Sequence, residues 1–184
     1  MASETPAKLV TYDDYRHLPD DGKQYQIIGG ELHMTPAPST IHQRISRNLF
    51  RMIDNCVTEK NLGEVLFAPV VVILSMTDIV QPDLIFVDKS RQNIITKKNI
   101  VEAPDLIVEI ISEYTETLDR VKKKELYEQN RVKEYWLVDP ENRQIDLYVL
   151  EEQALILKSS TGMGQPITSA LLHGCDFPVD KVFE

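Results

Sequence analysis

Three residue types in the middle of this sequence could act together on a phosphate ester. Asp83 heads the apolar segment Pro82-Asp83-Leu84-Ile85-Phe86-Val87, and Glu109 lies within Asp105-Leu106-Ile107-Val108-Glu109-Ile110-Ile111-Ser112. Lys122, Lys123 and Lys124 follow in a helix-like stretch. Both apolar segments are rich in β-branched residues and too short for helices, so they read as buried strands. A core tolerates a carboxylate only beside a partner. Two carboxylates on neighbouring strands can share a divalent cation, and a lysine brought beside them can steady a hydroxide or a phosphate oxygen. The chemistry this suggests is metal-dependent phosphodiester hydrolysis.

The elements that must position these groups are read from apolar periodicity and turn residues. Thr11-Tyr12-Asp13-Asp14-Tyr15 is a short capped helix, after an N-terminal stretch (residues 1–8) expected to be flexible. Gln24–Ile28 and Glu31–Thr35 flank Gly29-Gly30, whose freedom to take positive φ predicts a hairpin. On its second strand Leu32 and Met34 alternate with Glu31, His33 and Thr35, which would leave Glu31 facing water. Ser39 or Thr40 caps a helix whose Ile41, Ile45, Leu49, Met52 and Ile53 mark one buried face. His42 and Gln43 sit in its first turn. Pro69 interrupts two apolar runs ahead of the Asp83 strand, and residues 88–104 form a polar connection. The helix that begins at Thr115 or Glu116 and ends at Asn130 places Lys122 and Lys123 beside its apolar face and Lys124 nearly opposite. Strands at Glu134–Pro140, Gln144–Leu150 and Ala154–Leu157 follow, and the stretch from Gly162 to Glu184 has no clear pattern. This succession predicts an α/β (α+β mixed) fold, a mixed central sheet flanked by helices with an N-terminal β-hairpin, in a single domain spanning residues 1–184.

Composition sets limits on function. The 184 residues are 42% apolar and 27% charged, an ordinary globular balance. No apolar run approaches the ~18 residues that span a bilayer, and the N-terminus lacks the regions of a signal peptide, so a cytoplasmic protein without membrane contact is expected. Cys56 and Cys175 have no metal-ligand spacing and are expected to be reduced. A net charge of −9 opposes nonspecific nucleic-acid binding. Between Lys89 and Lys133, however, ten basic residues face eight acidic ones, so the segment around the candidate site is close to neutral. A glycine-rich phosphate loop, a nucleophile motif and a His/Cys cluster are all missing, which argues against a metabolic enzyme.

Several motifs add up to a resemblance. They are Gly30-Glu31-Leu32 with Met34-Thr35-Pro36-Ala37-Pro38-Ser39, then His42-Gln43, Gln81-Pro82-Asp83-Leu84 and Ala103-Pro104 leading into Asp105–Ser112. Asp119-Arg120, Lys123 four residues before Tyr127, and Glu134–Pro140 complete the set. Between about Tyr12 and Leu150 the chain resembles the PD-(D/E)XK nuclease superfamily, and within it the Uma-two family of restriction-endonuclease-like proteins. The resemblance implies a restriction-endonuclease-like core in which Asp83, Glu109 and the main-chain carbonyl of Ile110 hold Mg²⁺ or Mn²⁺. It also places Glu31 near the site as an added ligand or water partner. The superfamily's Glu-x-Lys pattern would put a lysine at position 111, where this chain has Ile111. The register relative to Tyr127 selects Lys123 as its replacement, with His42, Gln43 and Lys122 toward the substrate. The expected activity is cleavage of nucleic acid, DNA above all, by a homodimer that cuts both strands. The alternative is a nuclease-like domain that binds nucleic acid or a partner protein without cleaving it, which the missing lysine and the acidic surface favour.

Overall fold

Short-range signals fix the first elements. In the computed structural model, which describes residues 9–112 and 118–184, Thr11 and Asp14 form a reciprocal capping box at the start of α1 (Tyr12–Tyr15). Gly29 and Gly30 adopt φ of 59° and 76°, and the tight turn they form pairs β1 (Gln24–Ile28) with β2 (Glu31–Thr35) from Ile28↔Glu31 to Gln24↔Thr35. Ser39 caps α2 (Thr40–Lys60) by accepting the His42 N–H at 3.2 Å. Ile45, Leu49, Ile53 and Val57 form the buried stripe of α2, and Asn61 ends it in the left-handed conformation.

Beyond α2 the chain builds two sheets. The strands are β3 (Gly63–Phe67), β4 (Val72–Ser75), β5 (Asp78–Val80), β6 (Leu84–Asp88), β7 (Ile100–Val101) and β8 (Leu106–Ile110). A π-helix (Leu118–Lys123) runs directly into α3 (Lys124–Gln129). Then come β9 (Glu134–Asp139), β10 (Gln144–Glu151), β11 (Ala154–Thr161), β12 (Pro166–Thr168), β13 (Asp176–Pro178) and α4 (Val179–Val182). The larger sheet has the order β11-β10-β9-β8-β6-β3, antiparallel except for the parallel pair β8 and β9. The smaller has the order β2-β1-β5-β4-β7. This is the mixed α/β arrangement expected, with the hairpin at the edge of a second sheet and the chain passing from one sheet to the other around Pro69.

Side chains of the larger sheet alternate between two hydrophobic layers. Leu106, Val108 and Ile110 of β8 face the layer shared with α2, whereas Ile107 and Ile111 face the layer containing Leu126, Tyr127 and Tyr135. Glu109 shares the second face with Ile107, and it is 3% exposed. Continuous burial of all five β8 residues marks a strand covered on both sides.

Several expectations are corrected. Cys56 of α2 and Cys175 form a disulfide, with Cα atoms 6.2 Å apart, in place of two reduced thiols. Sequence spacing hides the pair because 119 residues separate its members. They meet because the C-terminal stretch, which lacks a clear pattern, completes the α2 layer with Ile167, Leu172, Phe177, Val179 and Val182, all buried. Phe177 packs edge-on to Trp136 at 5.5 Å between ring centroids. On β2, Glu31 faces water as expected, but Leu32 and Met34 are exposed as well, 42% and 59%, on a strand at the sheet edge. The connection at 88–104 contains a 3₁₀-helix (Lys89–Ile94) and β7. The expected flexibility of residues 1–8 and the expected helix start at Thr115 or Glu116 lie outside the described residues.

Candidate functional site

The register between β6 and β8 builds the site. Leu84 pairs with Val108, and continuing this antiparallel ladder by one step sets Asp83 opposite Glu109 on the same face. The Ile110 N–H donates to Asp83 Oδ2 at 2.8 Å, fixing the carboxylate at the end of the ladder. His42, in the first turn of α2, brings Nε2 to 3.2 Å from the same oxygen. Asp83 Oδ1 has no partner among the described residues.

Glu109 is more deeply buried. An unpaired carboxylate there would cost several kcal/mol, so the groups around it decide whether the strand can hold it. Lys123, at the end of the π-helix, places Nζ 2.9 Å from Glu109 Oε1, with only 3% of its side chain exposed. Tyr127, one helical turn later, donates its hydroxyl to the same oxygen at 2.5 Å. Lys123 and Tyr127 therefore act from one helix face on one carboxylate oxygen. The π-turn matters because its wider winding shifts the facing of the residues that precede α3. Lys122 is exposed and reaches Glu31 Oε2 at 3.2 Å, while Lys124 lies over the Tyr148 ring, 5.4 Å from its centroid.

The structure thus gathers Asp83, Glu109, Ile110, His42 and Lys123. Glu31 is not drawn into this set. Its side chain is 67% exposed and pairs with Lys122, with His33 Nε2 at 3.7 Å. Gln43 is exposed on α2, its backbone N–H committed to Ser39 O. Asp105, fully buried on β8's approach, serves the fold: it accepts from Arg91 at 3.0 Å and the Asp88 N–H at 2.9 Å, with Lys133 at 2.6 Å.

The donor set fits a hard cation. Among the described residues no three His, Cys, Asp or Glu side chains gather to hold a metal by themselves. Two carboxylates with a neighbouring main-chain carbonyl suit Mg²⁺, which keeps several waters and takes only one or two carboxylates from protein. Beside them the buried Nδ1 of His42 has no hydrogen-bond partner, a polar atom that a bound water or phosphate oxygen would satisfy. Burial pushes the His42 imidazole down. The hydrogen bond to Asp83, the charges of Asp83 and Glu109 and the Ile110 carbonyl outweigh it, leaving the pKa above the ordinary 6.5.

Residues 12–180 match the model of the Uma2 family, described as putative restriction endonucleases. The chain belongs to the Uma2 family. No curated protein matches it. Among solved structures, the Uma2 chain shares its fold with one described as a putative nuclease belonging to DUF820, from Anabaena variabilis. The TM-score is 0.76 at 17% sequence identity, over 95% of this chain and 97% of that one.

Two contributors escaped the sequence reading of this Uma2 protein. Tyr127 served there only to set the lysine register, although its spacing of four from Lys123 was the available signal. The second is the pair Arg120 and Asp139, 2.5 Å apart, which ties the π-helix to the end of β9. Asp139 also accepts the N–H groups of Glu141 and Asn142 at 3.1 and 3.0 Å. Burial raises the Asp139 pKa, but the hydrogen bonds from Asn142 and Arg120 prevail and hold it below the usual 3.8. A depressed folded-state pKa gives stability that is present above 3.8 and lost as pH falls through the folded value. Urea midpoints between pH 5 and pH 2 should therefore fall more steeply for wild type than for Asp139→Asn. Parallel curves would exclude this contribution.

Proposed function

We propose that this Uma2 protein is a metal-dependent endonuclease that hydrolyses phosphodiester bonds of nucleic acid, DNA in particular. The observation that carries the proposal is the meeting of Asp83, Glu109 and Lys123 where β6, β8 and the π-helix come together. Asp83, Glu109 and the Ile110 carbonyl would hold Mg²⁺ or Mn²⁺. When bound, such a cation polarises a phosphodiester oxygen and lowers the pKa of a coordinated water. Asp83 is oriented for this by the Ile110 N–H and His42. Lys123 holds its ammonium against Glu109 without exposure to bulk water, so it can orient a nucleophile or balance charge on a phosphate oxygen. Its long stem makes position in space matter more than position in sequence. The burial of Lys123 and Glu109 limits competing contact with solvent. A homodimer with one such site per protomer would cut both strands of a duplex.

The test pairs titration calorimetry with Mg²⁺ and Mn²⁺ and a plasmid-nicking assay, on wild type and Asp83→Ala. Binding heat and nicking should both vanish in the variant. Metal binding without nicking by the wild type would favour a noncleaving nuclease-like binder. Absence of metal binding by the wild type would overturn the mechanism.

A further inference from the structure

The chain is acidic overall, yet the first two-thirds of α2 carries no acid. From Thr40 to Ile53 its charged residues are Arg44, Arg47 and Arg51. Their spacing of three and four places them on one face, opposite the buried stripe of Ile45, Leu49 and Ile53, and all three are exposed. Arg47 hydrogen-bonds the neighbouring Asn48 Oδ1 at 3.1 Å, and none of the three has a carboxylate partner among the described residues. A solvated helix face in a protein of this charge would be expected to mix signs. This one does not.

The stripe is also placed to matter. It starts two residues beyond His42, which contacts Asp83 from the opposite, buried side of the same helix. At its far end Arg47, Asn48, Arg51 and Asn55, with Lys181 from α4, line an open recess of about 420 Å³. Glu184 shares the recess, and its carboxylate is held by Lys181 Nζ at 2.7 and 2.9 Å. From Arg44 to Arg51 the helix rises about 10 Å, roughly three nucleotide steps along one strand. Guanidinium groups pair with phosphate oxygens through two parallel N–H donors, which suits a repeating row of phosphodiesters.

We propose that the Arg44, Arg47 and Arg51 face of α2 is a phosphate-backbone track that holds nucleic acid along the outer surface of the helix whose inner face carries His42 to the Asp83 and Glu109 site. This rests on the endonuclease reading and adds the surface that such an enzyme needs. The track binds by charge and spacing without reading bases, so it contributes affinity uniformly across sequences.

The test is fluorescence anisotropy with a labelled 20-base-pair DNA duplex in EDTA, so that binding is read without cleavage, across a range of salt concentrations. Arg44→Ala/Arg47→Ala/Arg51→Ala is compared with wild type and with Lys97→Ala/Lys98→Ala/Lys158→Ala, which removes the same charge from exposed positions elsewhere. The arginine variant should bind at least about tenfold more weakly, with its log–log salt dependence shallower by about 2 to 3. The lysine variant should stay near wild type. Equal weakening in both triple variants, or none in the arginine variant, would overturn the track while leaving the nuclease reading intact. Failure of the wild type to bind the duplex would overturn the track. Retained metal-dependent nicking by the wild type would then preserve the nuclease reading. Circular dichroism of the variants excludes unfolding as the cause.

Discussion

Lys123→Met should destabilise the metal-free protein by about 3 to 5 kcal/mol, the range found when one partner of a buried ion pair is removed. The Lys123 and Glu109 side chains are 3% and 4% exposed, with Nζ and Oε1 2.9 Å apart. Methionine keeps much of the apolar stem and removes the charge. The buried Glu109 carboxylate then loses the cation beside it, and the hydroxyl of Tyr127 supplies a hydrogen bond but no charge. Surface lysine substitutions typically cost far less, so the size of the effect separates a built ion pair from a solvated side chain. Urea unfolding in EDTA measures it. A midpoint within about 0.5 kcal/mol of wild type would refute the pair. Adding Mg²⁺ should return part of the lost stability, because a cation that binds only the folded state stabilises it by mass action. Nicking should nevertheless stay impaired.

Glu109→Gln should lower the nicking rate on the order of 10² to 10³, the scale of removing one preorganised electrostatic element. The substitution keeps the shape of the side chain and an oxygen that can accept from Tyr127, so loss of packing cannot account for the change. It removes the negative charge needed to hold a cation. Calorimetric Mg²⁺ binding should weaken in parallel. The same variant leaves Lys123 buried without its counter-charge, so stability should also drop, and the rate must be measured well below the variant's unfolding temperature. Cleavage at the wild-type rate would remove Glu109 from the proposed site.

Much of this protein could be read from residue order alone, for identifiable reasons. The glycine pair, the Ser39 cap and the three-to-four spacing of α2 are local instructions, satisfied by contacts within a few residues. The β-branched runs around Asp83 and Glu109 declare buried strands, and an acid inside such a run declares a partner. The spacing of Lys123 and Tyr127 announces a common helix face. Residue types and the motif set also carried the Uma2 family membership.

What order alone left open depends on contacts between distant segments. The β6 and β8 register sets Asp83 opposite Glu109, and no local signal states that register. The wheel admitted both Lys122 and Lys123. Packing over the sheet buried Lys123 against Glu109 and sent Lys122 to Glu31 at the surface. The Cys56 and Cys175 disulfide arises from the folding of the C-terminal segment over α2, across 119 residues. The sequence determined which elements form and which charged side chains need partners, because propensity and burial act locally. The tertiary structure decided which partner each charge received, because that choice belongs to the meeting of surfaces far apart in the chain.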